Sequence, residues 1–348
     1  MPDDQRPTIS VIMKAFNEER HIAGAIESAL AALSGIGGEV ILADGASTDR
    51  TIAIAEKYPI KIVRLDDPAD RSCGAGAQLG FQYASGEFIC LMDGDMRLRR
   101  PFVVAGIQAL KENPALAGVG GVIVDHDADN LEYAQRVRRF DPDRQPGLVT
   151  RLGGCGLYRR AAIAAAGYCT DRNLHGGEEL ELAARLRVAG WSLARIDCPA
   201  VDHFCRTGNP YRHLLRRIRM RNACGPGEII RATIGRPQFG YVARNDRNAM
   251  LCGLVGLWWC SIAAALLFES RVWALLAAAA LLILPVAAMS LRWRSLRDGI
   301  YSVTVWNTHA LCFLPGFFWP RKPPAHWIAS HVIKDPAADL SKLRVAQR

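Results

Sequence analysis

Residues 88–95 read FICLMDGD: five apolar residues, then two aspartates around a single glycine. A run that is apolar at every position suits a strand buried on both faces, and acids directly after it stand at the strand's carboxyl end. The same pattern recurs upstream. Residues 8–13 (TISVIM) lead into the turn Lys14-Ala15-Phe16-Asn17-Glu18, and residues 39–42 (EVIL) lead into Asp44-Gly45-Ala46-Ser47-Thr48-Asp49. Residues 60–65 (IKIVRL) form a further β-branched run, and helical patterns over 18–33 and 48–57 separate the strands. This alternation predicts an α/β domain with a mostly parallel sheet and helices on both faces. Ligands of such sheets sit outside the carboxyl ends of the strands, so the polar turns are where a site is expected.

Neither phosphate-cradling glycine loop is present. The chain has no GxxxxGK, and Gly74, Gly76 and Gly80 miss the GxGxxG spacing by one residue. Carboxylates stand at the strand ends instead. Asp93 and Asp95 can converge on one divalent cation, and hard oxygen ligands suit Mg²⁺ or Mn²⁺, which also bridge substrate phosphates. A D-x-D pair alone is a common product of turn chemistry. Its place after an apolar strand, with Asp44 ending another, is what points to a site.

The 348 residues are half apolar and 22% charged, which excludes a disordered chain. The formal net charge of +9 conceals a partition. Residues 1–205 hold 23 basic and 28 acidic groups, a net −5, and residues 206–348 hold 20 and 6, a net +14. The ten cysteines show no C-x-x-C spacing, and Cys73, Cys90, Cys155 and Cys169 lie in apolar or glycine-rich stretches. They read as small buried hydrophobes in a reducing compartment. Residues 1–7 are polar and carry no signal-peptide stretch, so the front half is expected in the cytosol.

Residues 248–268 carry no charge, Glu269-Ser270-Arg271 interrupt, and residues 272–291 are again uncharged. Each run of about 20 residues crosses roughly 30 Å of hydrocarbon as a helix. Two adjacent runs of that length predict a transmembrane hairpin. Arg244 and Arg247 precede it, and Arg292, Arg294 and Arg297 follow, which puts both flanks and the front domain in the cytoplasm. A third apolar stretch, residues 299–320, contains Asn307, His309, Pro315 and Gly316 and meets Arg321 and Lys322. A full span would carry that basic tail outside, so a re-entrant or interfacial segment is expected.

Four segments carry a family resemblance, in order along the chain. They are ISVIMKAFNEERHIAGAIES (9–28), EVILADGASTDRT (39–51), GAGAQLGFQYASGEFICLMDGD (74–95) and HGGEELELAARLRVAGW (175–191). Together they resemble the inverting, nucleotide-sugar-dependent glycosyltransferases of family 2, which have the GT-A fold. The resemblance implies that Phe16 and Glu18 hold base and ribose, that Asp44 hydrogen-bonds a uracil-type ring, and that Arg71 faces the nucleotide. It implies that Asp93 contacts ribose or metal, that Asp95 binds the metal, and that His203 completes the metal site. Glu179 falls where the family has its catalytic Asp, and Glu178 where it has the preceding Glu. Lys14 stands where a proline is usual, and Glu179 is one methylene longer than Asp, which leaves open which of the two glutamates is the base. The chemistry suits these residue types, since inversion needs one carboxylate to deprotonate the acceptor hydroxyl and a metal to stabilise the departing diphosphate.

Ten arginines lie between residues 206 and 247, with Glu228 and Asp246 as the only acids. The core, residues 211–221 (YRHLLRRIRMR), reads as an amphipathic helix on an anionic membrane surface. Arg216 and Arg219 resemble positions of the family's Q-x-x-R-W acceptor motif, which implies a substrate-phosphate role. No recognition motif supports nucleic acid as a partner. The expected organisation is a catalytic domain (1–205), a basic bridge (206–247), a transmembrane hairpin with a third apolar segment (248–320) and a basic tail (321–348). With an H…GF segment at 309–317, it resembles succinoglycan-type exopolysaccharide transferases. That resemblance implies a nucleotide-sugar donor of UDP type and a polyprenyl-diphosphate-linked acceptor at the bacterial inner membrane. Transfer to polyprenyl phosphate, or a membrane-anchored binding module without catalysis, are the alternatives.

Overall fold

In the computed structural model, residues 8–126, 131–138, 141–205, 207–267 and 270–337 are described. The polar residues 1–7, Arg206 at the domain boundary, residues 268–269 of the interruption and residues 338–348 of the tail lie outside them.

The chain begins with β1 (Ile9–Ala15), α1 (Ile22–Ala32), β2 (Gly38–Asp44), α2 (Thr51–Ala55), β3 (Lys61–Leu65), α3 (Cys73–Tyr83) and β4 (Phe88–Asp93). It continues through β5 (Met96–Leu98), α4 (Arg100–Glu112), β6 (Leu116–His126), α5 (Leu131–Arg138), β7 (Gly147–Leu148) and β8 (Gly156–Arg159). Next come α6 (Arg160–Ala165), α7 (Glu178–Val188) and β9 (Ser192–Phe204). Helices α8 (Pro210–Arg219), α9 (Gly225–Thr233), α10 (Phe239–Asn245), α11 (Arg247–Ala265), α12 (Arg271–Trp293) and α13 (Leu296–Phe318) follow, and then β10 (Ser330–Lys334).

The unbroken apolar runs become central strands, as burial on both faces requires: β1 and β4 are buried along almost their whole length. Strands β3, β2, β1 and β4 form a parallel core in that order. Beyond it the sheet is mixed, because β8 enters antiparallel between β4 and β6, and β5 pairs antiparallel with β9. The glycine run that misses the dinucleotide spacing serves packing. A Cβ on Gly80 of α3 would lie 2.2 Å from Ile12 Cγ2, so only glycine lets this helix settle against β1. The cysteines are all free, and Cys90, Cys155 and Cys169 are buried.

Helix α7 starts after Gly177, which holds a left-handed φ of 84°, and places Glu178, Glu179 and Glu181 in its first turn, where the helix dipole favours acids. Glu181 is buried and receives Arg185 Nε at 2.8 Å, while Arg185 also donates to the carbonyls of Ala166, Tyr168 and Cys169. That buried pair anchors the loop leading into the α7 turn.

Helices α11 and α12 are long and apolar enough to cross a membrane, and only 22% and 11% of their most apolar windows are buried. A core hairpin of a soluble domain would bury far more of its side chains. Helix α13 is unbroken over 23 residues, meeting α5 near its start and the bridge near its end. Gln135 of α5 donates to Asp298 at 3.2 Å, and a Cβ on Gly316 would lie 2.3 Å from the Cys224 carbonyl. Over this length the helix does not reverse direction.

The tail expected from residue 321 is corrected by the structure. Arg321 pairs with Asp171, Lys322 reaches Asp70 at 2.5 Å, and β10 adds antiparallel to the β3 edge of the catalytic sheet. Ile328 is fully buried among Ile41, Val63 and Leu79. We expect Ile328→Ala to cost about 2–5 kcal/mol through the cavity it leaves. Denaturant unfolding of the detergent-solubilised chain measures this, and a loss below about 0.5 kcal/mol would show that this strap does not stay docked.

Candidate active site

The sheet register assembles the site. Lys14 of β1 pairs with Asp93 of β4, and Ala15 pairs with Asp44 of β2. Asn17 then turns the chain with a left-handed φ of 55°. Its backbone N–H donates to Ser47 Oγ at 3.0 Å, and its Oδ1 accepts from the Thr48 N–H at 2.8 Å. Two strand-end turns are thereby locked to one another. The D-G-D turn packs beneath them: a Cβ on Gly94 would stand 3.2 Å from the Ala15 Cβ and 3.3 Å from Glu18 Cγ.

A cavity of about 140 Å³ lies over these turns, lined by Phe16, Gly45, Arg71, Asp93, His175 and Asn222 among others. The Arg71 guanidinium stacks 3.7 Å above the Phe16 ring, a cation–π contact that pins both side chains. Asp44 is wholly buried behind Gly45. Its Oδ2 accepts from the Ser47 N–H at 3.0 Å and lies 3.7 Å from Arg64 Nε. Its Oδ1 is buried with no hydrogen-bond partner among the described residues. Burial pushes the Asp44 carboxyl above its ordinary value. An orphaned buried acceptor is costly. Neither Asp44, which is fully buried, nor Glu18, which stands beside Gly94, lines this cavity.

Asp95 and His203 come together through the β5–β9 pairing, in which Met96 opposes His203. His203 Nε2 lies 3.7 Å from Asp95 Oδ2, and its Nδ1 lies 2.8 Å from Asp125 Oδ1. Metal-binding histidines are typically held in this way, with one ring nitrogen fixed by a carboxylate and the other aimed at the ion. Carboxylates and an imidazole suit Mg²⁺ or Mn²⁺, so Asp93, Asp95 and His203 could hold it, but among the described residues the ligand atoms that already lie within 4.8 Å of one another are those of Asp125, His203 and Cys205. Asp125 went unread in the sequence, although residues 116–124 (LAGVGGVIV) form another apolar run ended by an acid. Applying the strand-end rule once more finds it.

Lys14 occupies the centre. Its Nζ is 3.0 Å from Asp93 Oδ1 and 3.2 Å from Glu178 Oε1. Burial alone would lower its pKa, but Asp93, Glu178 and Glu179 together hold the ammonium well above its ordinary value. Burial, reinforced by the Glu179 charge, pushes Glu178 up to about 7. Burial likewise raises Asp93.

The two glutamates are separated by the helix. Glu178 turns inward to Lys14, and Glu179 lines a cavity of about 220 Å³ with Arg151, Arg217, Asn222 and Asp246. Asn222 lines this cavity and the one over Phe16, so the two meet there. Arg216 and Arg219 do not line either cavity, and Arg219 is exposed. The reason is helical phase. Leu214 is the inward, buried residue of α8, and Arg217, three residues on, shares its face.

The Glu178 shift has a consequence for stability. The folded value lies above the ordinary 4.5, so the folded chain binds this proton more tightly than the unfolded chain. The associated stability is present below about pH 4.5 and is lost as pH rises to about 7. Glu178→Gln should remove that slope, an effect of about 1–3 kcal/mol across the window. Thermal unfolding at pH 5.0 and 7.5 measures it; equal slopes for variant and parent would show that Glu178 is ionised throughout.

The family described as "Glycosyl transferase family 2" matches residues 10–166. The putative glycosyltransferase EpsE of Bacillus subtilis (strain 168) is 37% identical over 200 residues, covering 53% of this chain and 68% of the relative. The succinoglycan biosynthesis protein ExoO of Rhizobium meliloti (strain 1021) is 32% identical over 99 residues, 28% of either chain. The mannosyltransferase PcManGT of Pyrobaculum calidifontis, solved with GDP-Man and Mn²⁺, shares the fold at a TM-score of 0.52 and 20% identity, over 90% of this chain and 88% of that one. The chain is a GT-A-fold glycosyltransferase and belongs to glycosyl transferase family 2.

Proposed function

We propose that the chain transfers a sugar, with inversion and with Mg²⁺ or Mn²⁺, from a UDP-type nucleotide donor to a polyprenyl-diphosphate-linked acceptor. It would work at the cytoplasmic face of the bacterial inner membrane, in the synthesis of an exopolysaccharide or another surface glycan. One observation carries this reading: Glu179 lines a cavity that opens toward the nucleotide-side cavity at Asn222 and toward the apolar helices at Asp246 and Asn248.

On this reading the stacked Phe16 and Arg71 side chains form the wall that the base packs against, and Asp44 Oδ1 accepts from the ring N–H. Asp93, Asp95 and His203 hold the ion, which when bound neutralises charge on the departing diphosphate. Asp125 keeps His203 in its tautomer, and Lys14 compensates the charge of Asp93 and Glu178. Glu179 takes the proton from the acceptor hydroxyl as that oxygen attacks the anomeric carbon. No covalent enzyme intermediate is needed.

The membrane setting rests on the exposed apolar faces of α11 and α12 and on the arginines that flank them. It rests also on α8, where Tyr211, Leu215 and Ile218 are exposed at helical spacing beside Arg212 and Arg219. The residues 1–205, 206–247 and 248–320 serve as catalytic domain, surface bridge and membrane anchor. The test gives membranes containing the chain Mn²⁺, a panel of radiolabelled nucleotide sugars and defined lipid acceptors. Label should appear on a lipid-diphosphate-linked product. Label on polyprenyl monophosphate would redirect the acceptor assignment, and nucleotide binding without any transfer would reduce the chain to a binding module.

A further inference from the structure

A cavity of about 680 Å³ opens between α8, α11, α12 and α13. It shares Arg151, Arg217, Asp246, Asn248 and His309 with the Glu179 cavity, so the two are continuous. Its wall is divided by chemistry. One part carries the guanidinium groups of Arg151, Arg217, Arg247 and Arg292 against only Asp141 and Asp246. The other, further along the apolar helices, is built from Leu251, Leu254, Met289, Val305 and Trp306.

Two further observations point to an absent anionic ligand. Arg247 and Arg292 have no ion-pair partner among the described residues, although they line the cavity. Trp293 Nε1 is buried in the same region with no hydrogen-bond partner among them. The buried indole N–H left in this state is costly, and the exposed guanidinium groups of Arg247 and Arg292 are free to pair, so an anionic oxygen suits both. Four cationic against two anionic side chains leave a surplus matched by the two charges of a glycosylated diphosphate. The apolar remainder reaches the outer surface, where Leu254 is 62% exposed on α11.

We infer that this cavity is the seat of the lipid carrier, with its diphosphate on Arg151, Arg217, Arg247, Arg292 and the Trp293 indole, and its hydrocarbon along Leu251, Leu254 and Trp306. The inference rests on the proposed glycosyl transfer and names the acceptor site for it. A lipid held there leaves the carbohydrate beyond the diphosphate facing Glu179 through the shared opening. The divided wall selects an amphiphile over free diphosphate, because the apolar half adds affinity only for a chain.

The test uses the full chain in detergent micelles, without donor or metal, and farnesyl diphosphate as the probe. Saturable binding is expected, weakened at least tenfold by Arg217→Ala and by Arg292→Ala, with Arg244→Ala within twofold of the parent. Leu254→Arg should weaken farnesyl diphosphate and leave inorganic pyrophosphate unchanged, and pyrophosphate should compete only at much higher concentration. Retained nucleotide binding in each variant certifies the fold. Unchanged farnesyl diphosphate affinity in both arginine variants overturns the inference, as does equal competition by pyrophosphate, which would mark a headgroup site without a lipid groove. Lipid binding with no transfer under any donor counts against the proposed reaction alone. No farnesyl diphosphate binding by the parent, alongside its intact transfer to a soluble sugar-diphosphate acceptor, counts against this site alone.

Discussion

Glu179→Gln is expected to lower sugar transfer by about 10²–10⁴-fold while leaving nucleotide binding within twofold. The amide keeps the size and hydrogen bonding of the side chain and removes only its capacity to take a proton. Because Glu179 lines the cavity shared with Arg217 and Asp246, its loss touches the acceptor side and spares the Phe16–Arg71 stack. Glu178→Gln is the control that separates the two acids. Glu178 is buried against Lys14 at 3.2 Å, so its removal disturbs the charge balance of Lys14 and Asp93 without removing a group from the acceptor cavity. A smaller loss, under about tenfold, is expected there. Full activity in Glu179→Gln together with a dead Glu178→Gln would assign the base the other way.

Asp95→Ala should reduce transfer on the order of a thousandfold, since charge stabilisation of a leaving diphosphate is worth several kcal/mol. The substitution leaves His203 Nε2 facing an empty corner where a carboxylate oxygen stood 3.7 Å away. Mn²⁺ binding by electron paramagnetic resonance gives a readout independent of turnover, and a loss of at least 100-fold in affinity is expected. Asp125→Ala should fall between parent and Asp95→Ala, about 10–100-fold in Mn²⁺ affinity, because Asp125 acts on the ion only through the His203 ring. Unchanged Mn²⁺ affinity in Asp95→Ala, or transfer by the parent that survives chelation, would refute the assigned ligand set.

Much of the candidate site was legible because its signals are local. An apolar run followed by an acid marks a buried strand and its carboxyl end within eight or nine residues of sequence, which is how Asp44, Asp93 and Asp95 stand out. The helix carrying Glu178 and Glu179 announces itself through acids in its first turn after a glycine. The partners of these groups were not legible. Lys14 reads in sequence only as a departure from proline, and becomes the central cation because strand register sets it beside Asp93 and α7 brings Glu178 to it. Asp125 reaches His203 across the β6–β9 ladder, 78 residues apart in sequence. Arg216 and Arg219 were drawn from motif spacing, whereas Arg217 lines the cavities, because the buried Leu214 and not the motif sets the rotation of α8.

Short windows of sequence sufficed for the class of fold, the strand-end position of the carboxylates, the two uncharged helices and the partition of charge between front and back. Each follows from periodicity or composition within a short window, where burial preference and helix length act directly. Long-range contacts alone set which glutamate lines the cavity shared with Arg217, how Lys14 is neutralised, that α13 meets α5 and the bridge, and that β10 returns to the edge of the sheet. Those outcomes depend on contacts between residues tens to hundreds of positions apart, and such pairings are selected by packing and charge balance across the whole chain. No local window contains both partners.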